Sequence, residues 1–197
     1  MQTVRQGPYL VTGTFEENGE PRFTFFDAME DTEIRCPVIG EKHVNTGEWI
    51  DLHILRSPGP RVISGYQVVA APIETNYDEE RKILELYAPV YFPDARRLVE
   101  SKGGVYFLHS DTLGNIGMLY DSSSRDIVAS LCGRLVMAHI HMPMTYSHYD
   151  VYGCLFWVKT LLNVVPPEQE MEHRHTKLGD RIAELQLELD ESQDLRY

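Results

Sequence analysis

The chain has 197 residues, 43% of them apolar and 24% charged, with a formal net charge of −12. That length supports a sizeable core, and the composition is that of a folded protein rather than a disordered one. An acidic surface repels phosphate, which sets aside an ordinary nucleic-acid reader, and no apolar run reaches the ~20 residues that span a bilayer.

The first ten residues lack the basic-then-apolar pattern of a secretory leader, so the expected location is the cytoplasm. Residues 1–75 read as an antiparallel β-meander. Residues 9–15 are rich in β-branched and aromatic types, and Asn18-Gly19 is a hairpin turn signal, because both residues tolerate positive φ. The returning strand is 22–26. A third covers 33–39, where Pro37 suggests a sheet edge. Residues 49–55 alternate, with Ile50, Leu52 and Ile54 on one face and Asp51 and His53 on the other. Ser57-Pro58-Gly59-Pro60 turns the chain into a strand at 62–71, with Gly65 as a bulge.

The pattern then changes. Ile83, Leu84 and Tyr87 share one side of a short helix at 78–87, ended by Pro89. A second short helix covers 93–101, stopped by Gly103-Gly104. Strands resume at 105–109 and 116–120. A long β stretch follows at 126–142, bent at Gly133. Residues 151–162 read as a buried helix, with a strand as the alternative. Pro166-Pro167 breaks the chain before a final helix from about 168 to 192. Strands grouped apart from helices predict an α+β fold: a meander, central short helices, further antiparallel strands and a long C-terminal amphipathic helix. The predicted organisation is one domain over 1–165 and a helical element over 166–197.

In the terminal segment Met171, Leu178, Ile182, Leu185 and Leu189 recur at spacings of seven, four, three and four, with His175 between the first two. This is a heptad seam flanked by charges. A helix of about 25 residues is about 37 Å long. It buries so narrow a stripe either on its own sheet or against a second copy of the chain. The double proline favours the second reading, which makes the six residues a predicted oligomer interface.

His139 and His141 lie two apart on a predicted strand and so share a face. Two imidazoles placed this way chelate one metal ion, and His148 is the candidate third donor of a site left open to water. The alternative is aromatic and polar packing at an interface among Met142, Tyr146, Tyr149 and Tyr152. Gly133, five residues, His139-Ile140-His141, four residues, Tyr146, six residues and Gly153 together are similar to the first motif of the cupins. The resemblance implies an antiparallel jelly-roll with His139 and His141 as ligands to a divalent transition metal. Tyr146 stands where that motif has its acidic ligand, and no second motif follows downstream.

No GxGxxG, Walker A or GxSxG pattern occurs. The leading expectation is a non-enzymatic binding or assembly subunit without a cofactor. It associates with itself or another protein, and contacts neither nucleic acid nor membrane. The second reading is an acidic inhibitor that imitates nucleic acid in a partner's basic groove. The third is a metal-dependent enzyme built on His139, His141 and His148, with its catalytic residues unassigned.

Overall fold

The computed structural model describes residues 3–28, 32–40, 43–55, 62–93, 104–119, 125–143 and 154–171. The chain divides into two units, Met1–Asn163 and Val164–Tyr197.

The first unit opens with β1 (Thr3–Glu17), β2 (Glu20–Asp27), β3 (Thr32–Pro37), β4 (Trp49–Leu55) and β5 (Val62–Val69). They form one sheet in the order β3-β2-β1-β4-β5. β1 is long enough to serve two partners: its C-terminal half pairs with β2 and its N-terminal half with β4, with Leu10 facing both Phe26 and Trp49. Asn18, at φ 56°, and Gly19 make the tight β1–β2 turn, as expected. Pro37 lies on the edge strand β3, where no second neighbour needs its missing N–H.

A second sheet comprises β6 (Glu74–Asp78), β7 (Ile83–Tyr91), β8 (Val105–Ser110), β9 (Gly114–Leu119), β10 (Leu135–Pro143) and β11 (Phe156–Val164). Its order is β10-β11-β9-β8-β7-β6, and β10 also pairs with β7 over nine residues. The strands β7-β8-β9-β11-β10 therefore close into a five-stranded barrel. Its seam is the short parallel pairing of Phe156 and Trp157 with Ile116 and Gly117. A helix, α1 (Arg125–Leu131), connects β9 to β10.

Both sheets are Greek keys. In each, three consecutive strands are followed by a fourth that returns beside the first: β4-β1-β2-β3 in one, β10-β7-β8-β9 in the other. The sequence shows no repeat, yet the strand order is repeated.

The barrel is filled from alternate positions. Leu84, Leu86, Ala88 and Val90 of β7 meet Val136, Ala138, Ile140 and Met142 of β10, joined by Tyr106, Leu108, Ile116, Met118 and Phe156. The N-terminal sheet has its own core on one face, with Val11, Phe23, Phe25, Cys36, Ile50, Leu52 and Tyr66. From its other face the cross-strand row Leu10, Phe26 and Trp49 enters the barrel core. Four successive buried residues, 9–12, record that β1 is covered on both sides there. The Trp49 indole N–H donates to Thr75 Oγ1 at 2.9 Å.

These findings correct the predicted fold class. Among the described residues the protein is mostly β, 66% strand, and not α+β. Residues 78–87 are not a helix: they end β6, turn and enter β7. Ile83, Leu84 and Tyr87 mimic a helical face, but Leu84, Leu86, Ala88 and Val90 obey the strand period of two. Pro89 pairs with Met137 of β10 on one side of β7; on the other side it falls between the stretch paired with β6, which ends at Tyr87, and the contact with β8 at Tyr91. The stretch 126–142 divides into α1 and β10, with Gly133 at φ 74° after the helix; of the residues of α1 Val128 is buried in the core and Leu131 packs against it, a helical spacing too short to stand out from the β pattern that follows. Residues 156–164 are strand β11, the alternative to the buried helix. The helix expected at 93–101 lies outside the described residues except for Pro93.

In the second unit residues 167–171 are helical, and the Glu170 N–H donates to the Pro166 carbonyl at 3.0 Å. Met171 is 58% exposed. His175, Leu178, Ile182, Leu185 and Leu189, and with them the long helix, lie outside the described residues. No helix among the described residues is long and apolar enough to cross a membrane.

Candidate functional site

Alternation along β10 sends Val136, Ala138, Ile140 and Met142 into the barrel, leaving His139 and His141 on the outer face. Antiparallel register sets His139 opposite Tyr87 and His141 opposite Glu85. The His139 and Tyr87 rings stack, with centroids 4.6 Å apart and planes 10° from parallel. The His139 side chain is 13% exposed, and its Nε2 lies 3.6 Å from Glu85 Oε1, too long for a hydrogen bond. Its Nε2 is buried without a hydrogen-bond partner.

Glu85 Oε1 accepts from Lys159 Nζ of β11 at 2.9 Å. That hydrogen bond holds the Glu85 carboxyl below its usual range; partial burial works against it, while the nearby charges of Lys159 and His139 add to it. Three adjacent strands thus contribute one carboxylate, one ammonium and one imidazole. The N-terminal sheet has a charged pair of its own, in which Arg5 of β1 donates to Asp51 of β4.

Among the described residues no group of three or more His, Cys, Asp and Glu is arranged to hold a metal ion. His148, the expected third ligand, lies outside them. The jelly-roll implied by the cupin resemblance is not the architecture present: the barrel has five strands and a parallel seam, where a jelly-roll has eight strands in two sheets. What the structure gathers around His139 is Tyr87, Glu85 and Lys159, an arrangement that holds a proton or an ion pair. The sequence-based reading of 78–87 as a helix concealed the first two.

A second surface was missed. β8 (Val-Tyr-Phe-Leu-His-Ser) and β9 (Gly-Asn-Ile-Gly-Met-Leu) carry no Lys, Arg, Asp or Glu. Their inward residues are Tyr106, Leu108, Ile116 and Met118. Phe107 and Leu119 turn outward, 36% and 64% exposed, and Tyr91 of β7, which pairs with His109, is 38% exposed. Between them Gly117 is covered by Trp157: a Cβ at Gly117 would come within 2.8 Å of the indole ring. Trp157 is itself buried, with Val105 and Cys154, and its N–H donates to the Cys154 carbonyl at 3.2 Å. The outer side of β8 and β9 therefore carries Phe107, Leu119 and the Trp157–Gly117 contact, bordered by the His109–Asp111 pair and by Lys159 of β11. Its signal was the absence of charge over two successive alternating strands.

No family model matches the chain, and no curated protein or solved structure is significantly similar to it.

Proposed function

We propose that the chain is a non-enzymatic binding or assembly subunit. It acts in the cytoplasm without a resident metal, holds a protein partner on the outer face of β8 and β9, and associates with a second copy through the stripe Met171, His175, Leu178, Ile182, Leu185 and Leu189. The observation that carries this reading is the uncharged face of β8 and β9, with Tyr91, Phe107 and Leu119 exposed around the Trp157–Gly117 contact.

Two considerations support it. Aromatic and apolar side chains with charge confined to the rim, here Asp111 and Lys159, are the composition of a protein interface. Five-stranded Greek-key barrels of the oligonucleotide- and oligosaccharide-binding class also use their second and third strands, here β8 and β9, to bind extended polymers. That analogy suggests where a partner sits and not what it is. The charge supports a protein partner: two strands without Lys or Arg, on a chain of net charge −12, are poorly suited to neutralise phosphates.

Fluorescence anisotropy with labelled single-stranded DNA and RNA tests the choice of partner. The expected result is no saturable binding at physiological salt. Saturable binding that weakens steeply with salt, and is lost in Phe107→Ala, would replace the protein partner by a nucleic acid.

A further inference from the structure

An open cleft of about 510 Å³ lies where the N-terminal sheet meets the β6–β7 hairpin, lined by Gly13, Thr14, Asn45, Thr46, Tyr77, Glu79 and Lys82, of which Thr14, Asn45, Glu79 and Lys82 are exposed. Its walls are held in place from both sides. The turn 45–48 is tied to β1 by Gly47 N–H to the Val11 carbonyl and Val11 N–H to the Glu48 carbonyl, both 2.9 Å. Glu48 fixes Asn45 by accepting from its backbone N–H at 2.8 Å and its side-chain NH₂ at 3.1 Å. The hairpin is closed by Asp78, which accepts from the Arg81 N–H at 3.0 Å.

The lining has a definite chemistry. Among the described residues the hydroxyls of Thr14, Thr46 and Tyr77 meet no protein hydrogen-bond partner, and the Asn45 side-chain carbonyl is an unused acceptor. Glu79 and Lys82 stand 4.0 Å apart, so the cleft carries no net charge. Lys82 also occupies a left-handed backbone position, φ 53°. Glycine or asparagine suits that position at lower cost.

We propose that this cleft binds a neutral, hydroxyl-rich small molecule, a sugar or cyclitol of one or two rings. The cleft is within the size range of small-molecule sites, roughly 300–1,000 Å³. A free anion competes with Glu79 for Lys82, and a cation finds a single carboxylate already paired. An apolar ligand strands the lining hydroxyls. A polyol satisfies them: each hydroxyl both donates and accepts, matching two threonines, a tyrosine, an amide and a compensated ion pair, and Tyr77 supplies an aromatic surface for the ring C–H groups. The site is separate from the face of β8 and β9 and does not depend on it.

The test is an NMR titration of the full chain with maltose and with myo-inositol, read at backbone amides. Expected are saturable shifts confined to residues 13–14, 45–48 and 77–82, with a Kd on the order of 1 mM from a few net hydrogen bonds. Tyr77→Phe and Thr46→Val, which keep the shape of the wall, are each expected to weaken binding by about fivefold with an unchanged spectrum elsewhere. The proposal is overturned by the absence of saturable shifts with either probe, by shifts that survive both substitutions undiminished, or by inorganic phosphate saturating the same amides in their place.

Discussion

Phe26 of β2 meets Phe156 of β11 edge to face, with ring centroids 5.2 Å apart and planes at 85°. One residue belongs to the N-terminal sheet and the other to the barrel seam, so the contact makes the two Greek keys share a core. Phe26→Ala removes a buried ring with little room for collapse and is expected to cost about 3–5 kcal/mol. The two tryptophans report on the two sheets, Trp49 on β4 and Trp157 on β11. Urea unfolding of single-tryptophan variants should give coincident midpoints that fall together in Phe26→Ala. A loss confined to the Trp49 signal would mean that the sheets unfold independently.

Gly117 gives a second test of packing. An added methyl meets the face of Trp157 at 2.8 Å, closer than real contacts allow, so the indole has to move. Gly117→Ala is expected to destabilise the protein by about 1–3 kcal/mol. Faster amide exchange in β9 and β11 should accompany this, because Gly117 and Trp157 are one of the two residue pairs that close the barrel there.

The ion pair on β7 sets a pH dependence. The folded-state pKa of Glu85 lies below the ordinary value of 4.5, chiefly through the Lys159 hydrogen bond. A lowered carboxyl pKa contributes stability above the unfolded value, and that contribution disappears as pH falls through the folded one. The pair is partly exposed and is worth at most about 1 kcal/mol at neutral pH. Stability measured from pH 7 down to pH 3 should therefore decline less in Glu85→Gln than in the wild type. Parallel curves would show that Glu85 takes no part.

Lys82 offers the opposite sign. A left-handed backbone costs a residue with a Cβ about 1–2 kcal/mol, and glycine loses about 0.5–1 kcal/mol of unfolded-chain entropy. Lys82→Gly is thus expected to raise stability by about 0.5 kcal/mol, visible as a small increase in Tm. A fall in Tm would indicate that the lysine side chain supports the fold itself.

The N-terminal strands were legible because their signals are local: Asn18-Gly19 at the turn, Pro37 at the edge, and the alternation of Ile50, Leu52 and Ile54. β7 was not, because Ile83, Leu84 and Tyr87 happen to sit at helical spacing, and a proline within a strand reads as a stop until the neighbours on each side of the strand are known. α1 escaped because it is only seven residues long and brings just Val128 and Leu131 to the core. The return of β4 beside β1, and of β10 beside β7, is a long-range pairing that no window of sequence encodes. At the candidate site, the shared face of His139 and His141 followed from alternation alone. Their neighbours Glu85, Tyr87 and Lys159 come from two strands whose identity had been read as helix.

Self-association through the terminal stripe is the part of the proposed function that sedimentation equilibrium of the full chain over a concentration series tests most directly. The predicted result is a homo-oligomer at micromolar concentration that Leu178→Glu with Leu185→Glu converts to a monomer with an unchanged β-sheet spectrum. A wild-type chain that stays monomeric throughout, or a double variant with the wild-type mass, would contradict it.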